Sequence, residues 1–292
     1  MIAAELLIDT LIIVKAEAGI AVLLAVSFLG GCSSSPGNMF RSDASGLAGN
    51  WQIETSATAS SLSPEGVVLL GALESSGNQV SGNFRFTNLA HPDACGSNQV
   101  VLLRGTIDSH NDLTLASAPL PNGTSIKVSL NLANAQPYSG LGTVEVDGDS
   151  CAVPTASAIG SEVATTTGSF AGTLSPGPIG APASGAAGSA TVTLTQSPKA
   201  ESDGTFTVTG MLSYKFGSCS GSVPLNGTVS GVGMSFWDVI FTSSGGQEQA
   251  NLSGTTNLKA TQIDVGSLSL VPAPCSADPN SSAAFNGRMN RN

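Results

Sequence analysis

The chain has 292 residues and a net charge of −10, with 10% charged residues and 35 glycines. This balance argues against partners that are held by basic patches, so we expect no binding of nucleic acid and no adsorption on anionic lipid headgroups. Valine, leucine and isoleucine recur at every second position and helix-forming runs are scarce, which together are typical of an all-β protein.

An apolar run over 18–29 precedes the sequence Leu29-Gly30-Gly31-Cys32. The run is shorter than the roughly 20 residues of a transmembrane helix and matches the apolar core of a signal peptide, about 7 to 15 residues long. Its end resembles the lipobox of bacterial lipoproteins, with Cys32 at the acylated position; the alternative is a short buried helix. Acidic residues precede the run where a signal peptide is usually basic, and we hypothesise that translation starts near Val14-Lys15.

The resemblance to lipoproteins implies a cellular location rather than an activity. Residues 1–31 would be the signal peptide, Cys32 the lipidated residue, and the Ser/Gly/Pro-rich stretch 32–46 a flexible tether. The lipid would anchor the chain to a membrane of the cell envelope. Ser33 follows the cysteine in place of the aspartate that retains some lipoproteins at the inner membrane. The outer membrane is therefore favoured, with the periplasmic or surface face left open.

The region after the tether divides into two predicted β-domains, 47–155 and 169–280, separated by a linker, 156–168, and followed by a flexible tail, 281–292. In the first domain alternating apolar residues predict strands over 50–55, 67–73, 79–87, 100–108, 113–116, 124–133 and 142–146. In the second domain a strand near 170–174 precedes strands over 191–195, 205–214, 223–230, 234–242, 249–259 and 262–270. We expect two tandem antiparallel meanders, each closed as a barrel or a sandwich.

Four cysteines remain besides Cys32, namely Cys95, Cys151, Cys219 and Cys275. An even number in an exported chain predicts disulfides rather than zinc ligation, since no Cys-x-x-Cys spacing occurs. Three connectivities are possible. The first two and the last two cysteines are both 56 residues apart, which favours the pairs Cys95–Cys151 and Cys219–Cys275, one in each domain.

The equal cysteine spacing also predicts a tandem duplication with an offset of 124 residues. Three pairs of segments recur near that offset: 47–51 with 170–174, 80–82 with 208–210, and 103–107 with 225–229. The alternative is that any glycine- and threonine-rich β sequence resembles itself.

Candidate ligand-binding residues are few. Glu145, Asp147 and Asp149 alternate along an extended segment, so their oxygens project to one side and suit Ca²⁺, the alternative being a solvated acidic turn. Trp51 and Trp237 are the two tryptophans, which could stack on a ligand or pack in the core.

No catalytic signature is apparent in the sequence. The segment 217–221 resembles a nucleophile elbow with Cys219 in place of serine, but no helix pattern follows it. His91 and His110 fall in predicted loops, without the pairing that a hydrolytic triad needs. We therefore predict an envelope lipoprotein without enzymatic activity or cofactor that binds a ligand or partner, either an envelope protein or a saccharide. The alternatives are a structural or assembly subunit of an envelope complex and an envelope hydrolase.

Overall fold

The computed structural model describes residues 46–55, 66–89, 95, 99–133, 136–148, 151–177, 187–243, 246–273, 276–278 and 281–292, with the backbone alone over 234–243 and 246–249. All of these residues belong to one structural unit. The predicted signal peptide and Cys32 lie outside the described residues. The described strands form two closed antiparallel barrels of eight strands each, which confirms the all-β tandem architecture.

The first barrel is an up-and-down meander in which the last strand returns to the first. Trp51 in β1 pairs with Gly71 on one side and with Glu162 on the other, which closes the ring. Its strands are β1 (Gly49–Thr55), β2 (Val67–Ser76), β3 (Gln79–Asn88), β4 (Gln99–Ile107), β5 (Asp112–Ser117), β6 (Ser125–Leu132), β7 (Ser139–Asp147) and β8 (Val153–Val163).

The second barrel repeats this order. Phe170 in its first strand pairs with Val192 in the second strand and with Arg291 in the last. Its strands are β9 (Gly168–Pro176), β10 (Gly188–Gln196), β11 (Phe206–Phe216), β12 (Cys219–Ser230), β13 (Gly233–Ser243), β14 (Gly246–Thr256), β15 (Gln262–Val271) and β16 (Ala283–Arg291).

Two predicted boundaries are wrong. Most of the predicted linker 156–168 belongs to β8, and most of the predicted tail 281–292 is β16. Both strands are rich in small and polar residues, so their apolar alternation is faint. They form because each pairs on both sides and closes a barrel, which satisfies their backbone hydrogen bonds. Only 164–167 connect the barrels.

The alternating residues pack inward, as an eight-stranded barrel requires. In β6 the predicted apolar face is buried, and the alternate residues Lys127, Ser129 and Asn131 are exposed. Trp51 is completely buried in the first barrel, where its Nε1–H donates a hydrogen bond to the carbonyl of Leu47 at 2.9 Å.

The predicted Cys95–Cys151 disulfide is present, with Cα atoms 5.2 Å apart. Cys95 lies between β3 and β4 and Cys151 between β7 and β8, so the bridge crosses one end of the first barrel. Cys219, at the start of β12, is also disulfide-bonded. Its predicted partner Cys275 follows β15 in the chain and lies outside the described residues.

The two barrels share a row of cross-strand neighbours with the same residue types. Each row crosses the first four strands of its barrel in the order Gly, Leu, Gly, Leu: Gly49, Leu73, Gly82 and Leu103 in one, Gly168, Leu194, Gly210 and Leu225 in the other. A Cβ added at Gly82 would lie 2.0 Å from the carbonyl oxygen of Ala72, and one added at Gly210 would lie 2.2 Å from that of Thr193.

The outer wall of β1–β3 packs against one end of the second barrel. Ala72 in this wall is 4% exposed and joins the apolar cluster of the second barrel. The amide of Asn50, which is buried, donates to the carbonyl of Gly231 at 2.8 Å and accepts from the Gly231 N–H at 2.7 Å. Arg85 pairs with Asp203 at 3.2 Å.

Gly204 makes the closest of these approaches. Its φ of +80° is in the left-handed region, and a Cβ there would lie 2.0 Å from the carbonyl oxygen of Asn83 in β3. Glycine therefore meets two needs at this position, a backbone conformation that L side chains avoid and room for the neighbouring strand.

Candidate functional site

The outer wall of β4–β7 lies across the first barrel from the docked second barrel. In a closed ring of eight strands, β6 stands four strands away from β2, the middle strand of the buried wall. Side chains that point outward from β4–β7 are thus accessible, whereas Asn50 and Ala72 on the opposite wall are buried. This wall is the candidate site.

A row of hydroxyl side chains crosses the wall. Successive members are direct cross-strand neighbours, and the oxygens of Thr106 and Thr114 are 3.5 Å apart. Each strand contributes one outward hydroxyl at this level because serine and threonine occupy the polar positions of the alternation. The row, here called the hydroxyl row, consists of Thr106, Thr114, Ser129 and Thr143 on this wall and of Ser157 on the adjoining β8.

A charged row runs beside it, two residues along each strand. Arg104 pairs with Ala116, Ala116 with Lys127, and Lys127 with Glu145 in the strand register. The Lys127 ammonium lies 2.8 Å from a carboxylate oxygen of Asp147 and 3.8 Å from one of Glu145. The hydrogen bond to Asp147, with the charges of both acids, raises the pKa of Lys127 above its ordinary value.

Arg104 differs from Lys127 in having no acidic partner among the described residues. Its guanidinium presents five N–H donors in a planar fork that suits a carboxylate. It is exposed at the edge of the groove and beside the hydroxyl row. The wall therefore offers one cation that a ligand can engage without first displacing an internal ion pair.

An open groove of about 370 Å³ lies across the two rows. Three of the five hydroxyls line it, those of Thr114, Ser129 and Thr143, together with Arg104, Lys127 and Glu145 of the charged row. A second depression of about 320 Å³ adjoins it across β6–β8 and is bordered by Leu141 and Ile159. These two side chains are cross-strand neighbours and are 70% and 38% exposed. The wall thus offers hydrogen-bonding groups, a guanidinium without an acidic partner among the described residues, and an apolar border. Ligand-binding surfaces provide contacts of these kinds.

Neither tryptophan contributes to this site. Trp51, predicted as a binding candidate, is fully buried because it shares the inward face of β1 with Ile53. It therefore packs in the core, which was the alternative to stacking on a ligand. The side chain of Trp237 lies outside the described part of the chain.

The proposed calcium ligands are only partly described. Glu145 and Asp147 project to one side of β7 as predicted, but the ammonium of Lys127 occupies the position between them. Asp149 lies outside the described residues. Within the described ranges no group of three or more metal-binding side chains is found.

The described histidine belongs to a turn. The backbone N–H groups of Asp112 and His110 donate to the Asp108 carboxylate at 2.9 and 2.8 Å, and these bonds, that of Asp112 foremost, lower the pKa of Asp108. The imidazole of His110 lies 3.4 Å from the same carboxylate in an exposed loop. His91 lies outside the described residues.

The residues of the groove were not identified as a site from the sequence. The polar positions of β4, β5, β6 and β7 are visible in the alternation, which puts Lys127 and Ser129 on the polar face of the strand predicted over 124–133. The missing information was the strand register, which brings Arg104, Thr114 and Thr143 beside them. The sequence signal is that each of these strands carries serine or threonine at a polar position, which does not show that the hydroxyls are cross-strand neighbours.

Comparisons of the chain with protein-family models, with curated proteins and with solved structures find no match. Among the described residues, no helix is long and apolar enough to cross a membrane. Function is therefore inferred from the sequence pattern and from the geometry of the groove.

Proposed function

We propose that this chain is a lipid-anchored binding protein of the bacterial cell envelope that acts without catalysis. The lipobox resemblance at Cys32 supports the anchor, and the residue that follows it favours the outer membrane. The Cys95–Cys151 disulfide supports export independently, since such bonds persist in oxidising compartments.

The observation that carries the binding role is the groove on β4–β7. It combines three members of the hydroxyl row with Arg104, which has no acidic partner among the described residues, on the wall that the second barrel leaves accessible. The hydrogen bonds found for this row among the described residues join Thr114 to the hydroxyl and the carbonyl of Thr106 and none reaches a carboxylate, so the hydroxyls are suited to hydrogen bonding rather than to nucleophilic attack, which needs a base hydrogen-bonded to the nucleophile.

The anchor is tested by non-reducing peptide mass mapping of the protein extracted from membranes. We expect an acylated N-terminal peptide that begins at Cys32, together with the Cys95–Cys151 and Cys219–Cys275 crosslinked peptides. An unmodified Cys32 in membrane-extracted protein would refute the lipid anchor.

The binding role is tested by photo-crosslinking in cells with p-benzoylphenylalanine in place of Ser129. The same amino acid in place of Thr193, which is exposed on β10 of the second barrel, is the matched control. We expect adducts from position 129 that are absent at position 193. Equal adduct patterns from both positions would contradict a binding role for the groove.

A second candidate, an assembly subunit of an envelope complex, is favoured by one observation. Leu141 and Ile159 form an exposed apolar pair, and clustered apolar side chains are used in protein contacts. A protein adduct of fixed mass from position 129 would favour this candidate, whereas a heterogeneous saccharide adduct would favour ligand binding.

We further propose that the barrels arose by tandem duplication. The matching rows of Gly, Leu, Gly and Leu support it, because both the residue types and the strand register agree. When the two rows are superimposed, 80–82 aligns with 208–210 and 103–107 aligns with 225–229, as the sequence predicts. The same superposition corrects the first match by four residues, since Gly49 corresponds to Gly168 and Trp51 therefore to Phe170.

A further inference from the structure

We infer that the groove on β4–β7 binds an acidic oligosaccharide, with a carboxylate on Arg104 and sugar hydroxyls along the hydroxyl row. This assignment rests on the proposed binding role and names its ligand class. It follows from three features of the wall: the length and regularity of the hydroxyl row, the single unpaired cation, and the closed edges of the barrel.

The hydroxyl row has the extent and chemistry of a short saccharide. Five hydroxyls on five adjacent strands span four interstrand spacings, or about 19 Å. Each hydroxyl of the protein both donates and accepts a hydrogen bond, and so does each hydroxyl of a sugar. The hydroxyl row can therefore pair with sugar hydroxyls without leaving a donor or an acceptor unmatched. Leu141 and Ile159 beside the row offer an apolar surface to the C–H faces of the sugar rings.

Charge selects an acidic saccharide over a neutral one. The Lys127 charge is already neutralised by Asp147 and Glu145, whereas Arg104 has no acidic partner among the described residues. A guanidinium binds a carboxylate through two parallel hydrogen bonds, which makes it the stronger anchor of the two cations. The net charge of −10 disfavours densely charged polyanions, so carboxylates spaced along a sugar chain fit best.

The same wall is unsuited to the other common extended ligands. An extended peptide binds by adding a strand to an open sheet edge, and β4–β7 are paired on both sides. A single-stranded nucleic acid needs a basic groove with aromatic stacking platforms, and the described residues lining this groove include neither feature.

The test is calorimetric titration of the full-length protein in detergent with two tetrasaccharides. One alternates glucuronate with N-acetylglucosamine, and the other is the neutral tetramer of N-acetylglucosamine. We expect the acidic sugar to bind at least tenfold more tightly, the gain typical of charge-assisted hydrogen bonds. Arg104→Gln should remove that preference, and Ser129→Ala should weaken both sugars by a few-fold.

Lys215→Gln is the matched control, because it removes an exposed cation from the outer wall of β11 in the second barrel. It should bind both sugars as the unaltered protein does, and circular dichroism should give the same spectrum for all variants. Equal affinity for the two sugars, an unchanged preference in Arg104→Gln, or no binding of either sugar at millimolar concentration would each overturn the inference.

The experiments can reject the lipid anchor and the acidic saccharide independently of each other. Failure to bind either tetrasaccharide, with non-protein adducts still formed at position 129 and absent at position 193, would reject the acidic saccharide and leave the binding role in place. An unacylated Cys32 in a protein that still prefers the acidic sugar would reject the anchor and leave the ligand class standing.

Discussion

The amide of Asn50 joins the two barrels through a pair of hydrogen bonds. It is 2% exposed and makes two hydrogen bonds to one residue of the other barrel, both to the backbone of Gly231. In Asn50→Ala the Gly231 N–H and carbonyl would keep their buried positions and lose both partners. We expect this substitution to destabilise the protein although it touches neither barrel core.

The size of the effect follows from the two groups left unpaired. An unsatisfied buried donor or acceptor costs about 1–3 kcal/mol, so with two such groups Asn50→Ala should lower the free energy of unfolding by about 2–6 kcal/mol. Urea denaturation followed by circular dichroism measures this loss. Hydrogen exchange gives the local readout, since the Gly231 amide should lose the protection that the Asn50 side chain provides.

Asn226→Ala is the control, because Asn226 is exposed on β12 and its loss should change stability by no more than about 0.5 kcal/mol. Asn50→Asp adds a discriminating signature. Its carboxylate would face the Gly231 carbonyl, so burial should raise its pKa and the variant should regain stability as the pH falls. Equal stabilities of Asn50→Ala and Asn226→Ala, with unchanged exchange at Gly231, would refute the reasoning.

Three further predictions concern the disulfide, the interface and the shared glycine row. Because Cys219 is disulfide-bonded as well, the first bridge is removed by substitution: replacing Cys95 and Cys151 together by serine should cost about 4 kcal/mol by the loop-entropy model, measured as the fall in urea midpoint. Partial burial raises the pKa of Asp203, but hydrogen bonds from Thr205 and the charge of Arg85 outweigh it and lower the pKa below 3.8. The carboxylate should therefore make the protein more stable than Asp203→Asn above pH 3.8. Acid titrations should show this difference being lost as the pH falls below 3.8. Gly210→Ala should lower the thermal midpoint, at a cost of about 1–3 kcal/mol, because its Cβ would meet a strand carbonyl.

Local alternation was sufficient to predict most strands and their inward faces. It identified Ile126 and Val128 as core residues and Lys127 as exposed, because side chains alternate along any strand whatever it pairs with. β8 and β16 were missed, since small residues such as those of Ala156–Gly160 leave little periodic signal and only barrel closure makes them strands.

The candidate site depends on register, which is not a local property. Thr114 and Thr143 are separated by 29 residues in the chain and by two strands in the barrel, with Ser129 between them. Hairpin turns set the register of neighbouring strands, but the connections between β5 and β7 are not two-residue turns whose geometry can be inferred from sequence. The disulfide was predictable for a different reason, because equal cysteine spacing is visible in the sequence.

The offsets between the two barrels indicate how the interface was built. Leu73 and Leu194 are 121 residues apart, whereas Gly82 and Gly210, one strand further on, are 128 apart. The added residues lie in the connection between β10 and β11, which spans 197–205 where the first barrel has the two-residue turn 77–78.

That extension carries both Asp203, the partner of Arg85, and Gly204, which touches the backbone of β3. The loop 197–205, which the first barrel lacks, thus contributes contacts that hold the second barrel against the first. Because it docks on β1–β3, the opposite wall of the first barrel keeps its hydroxyl row and Arg104 exposed. Under the proposed duplication, the two barrels would have acquired separate roles, the first presenting the groove and the second packing against the opposite wall.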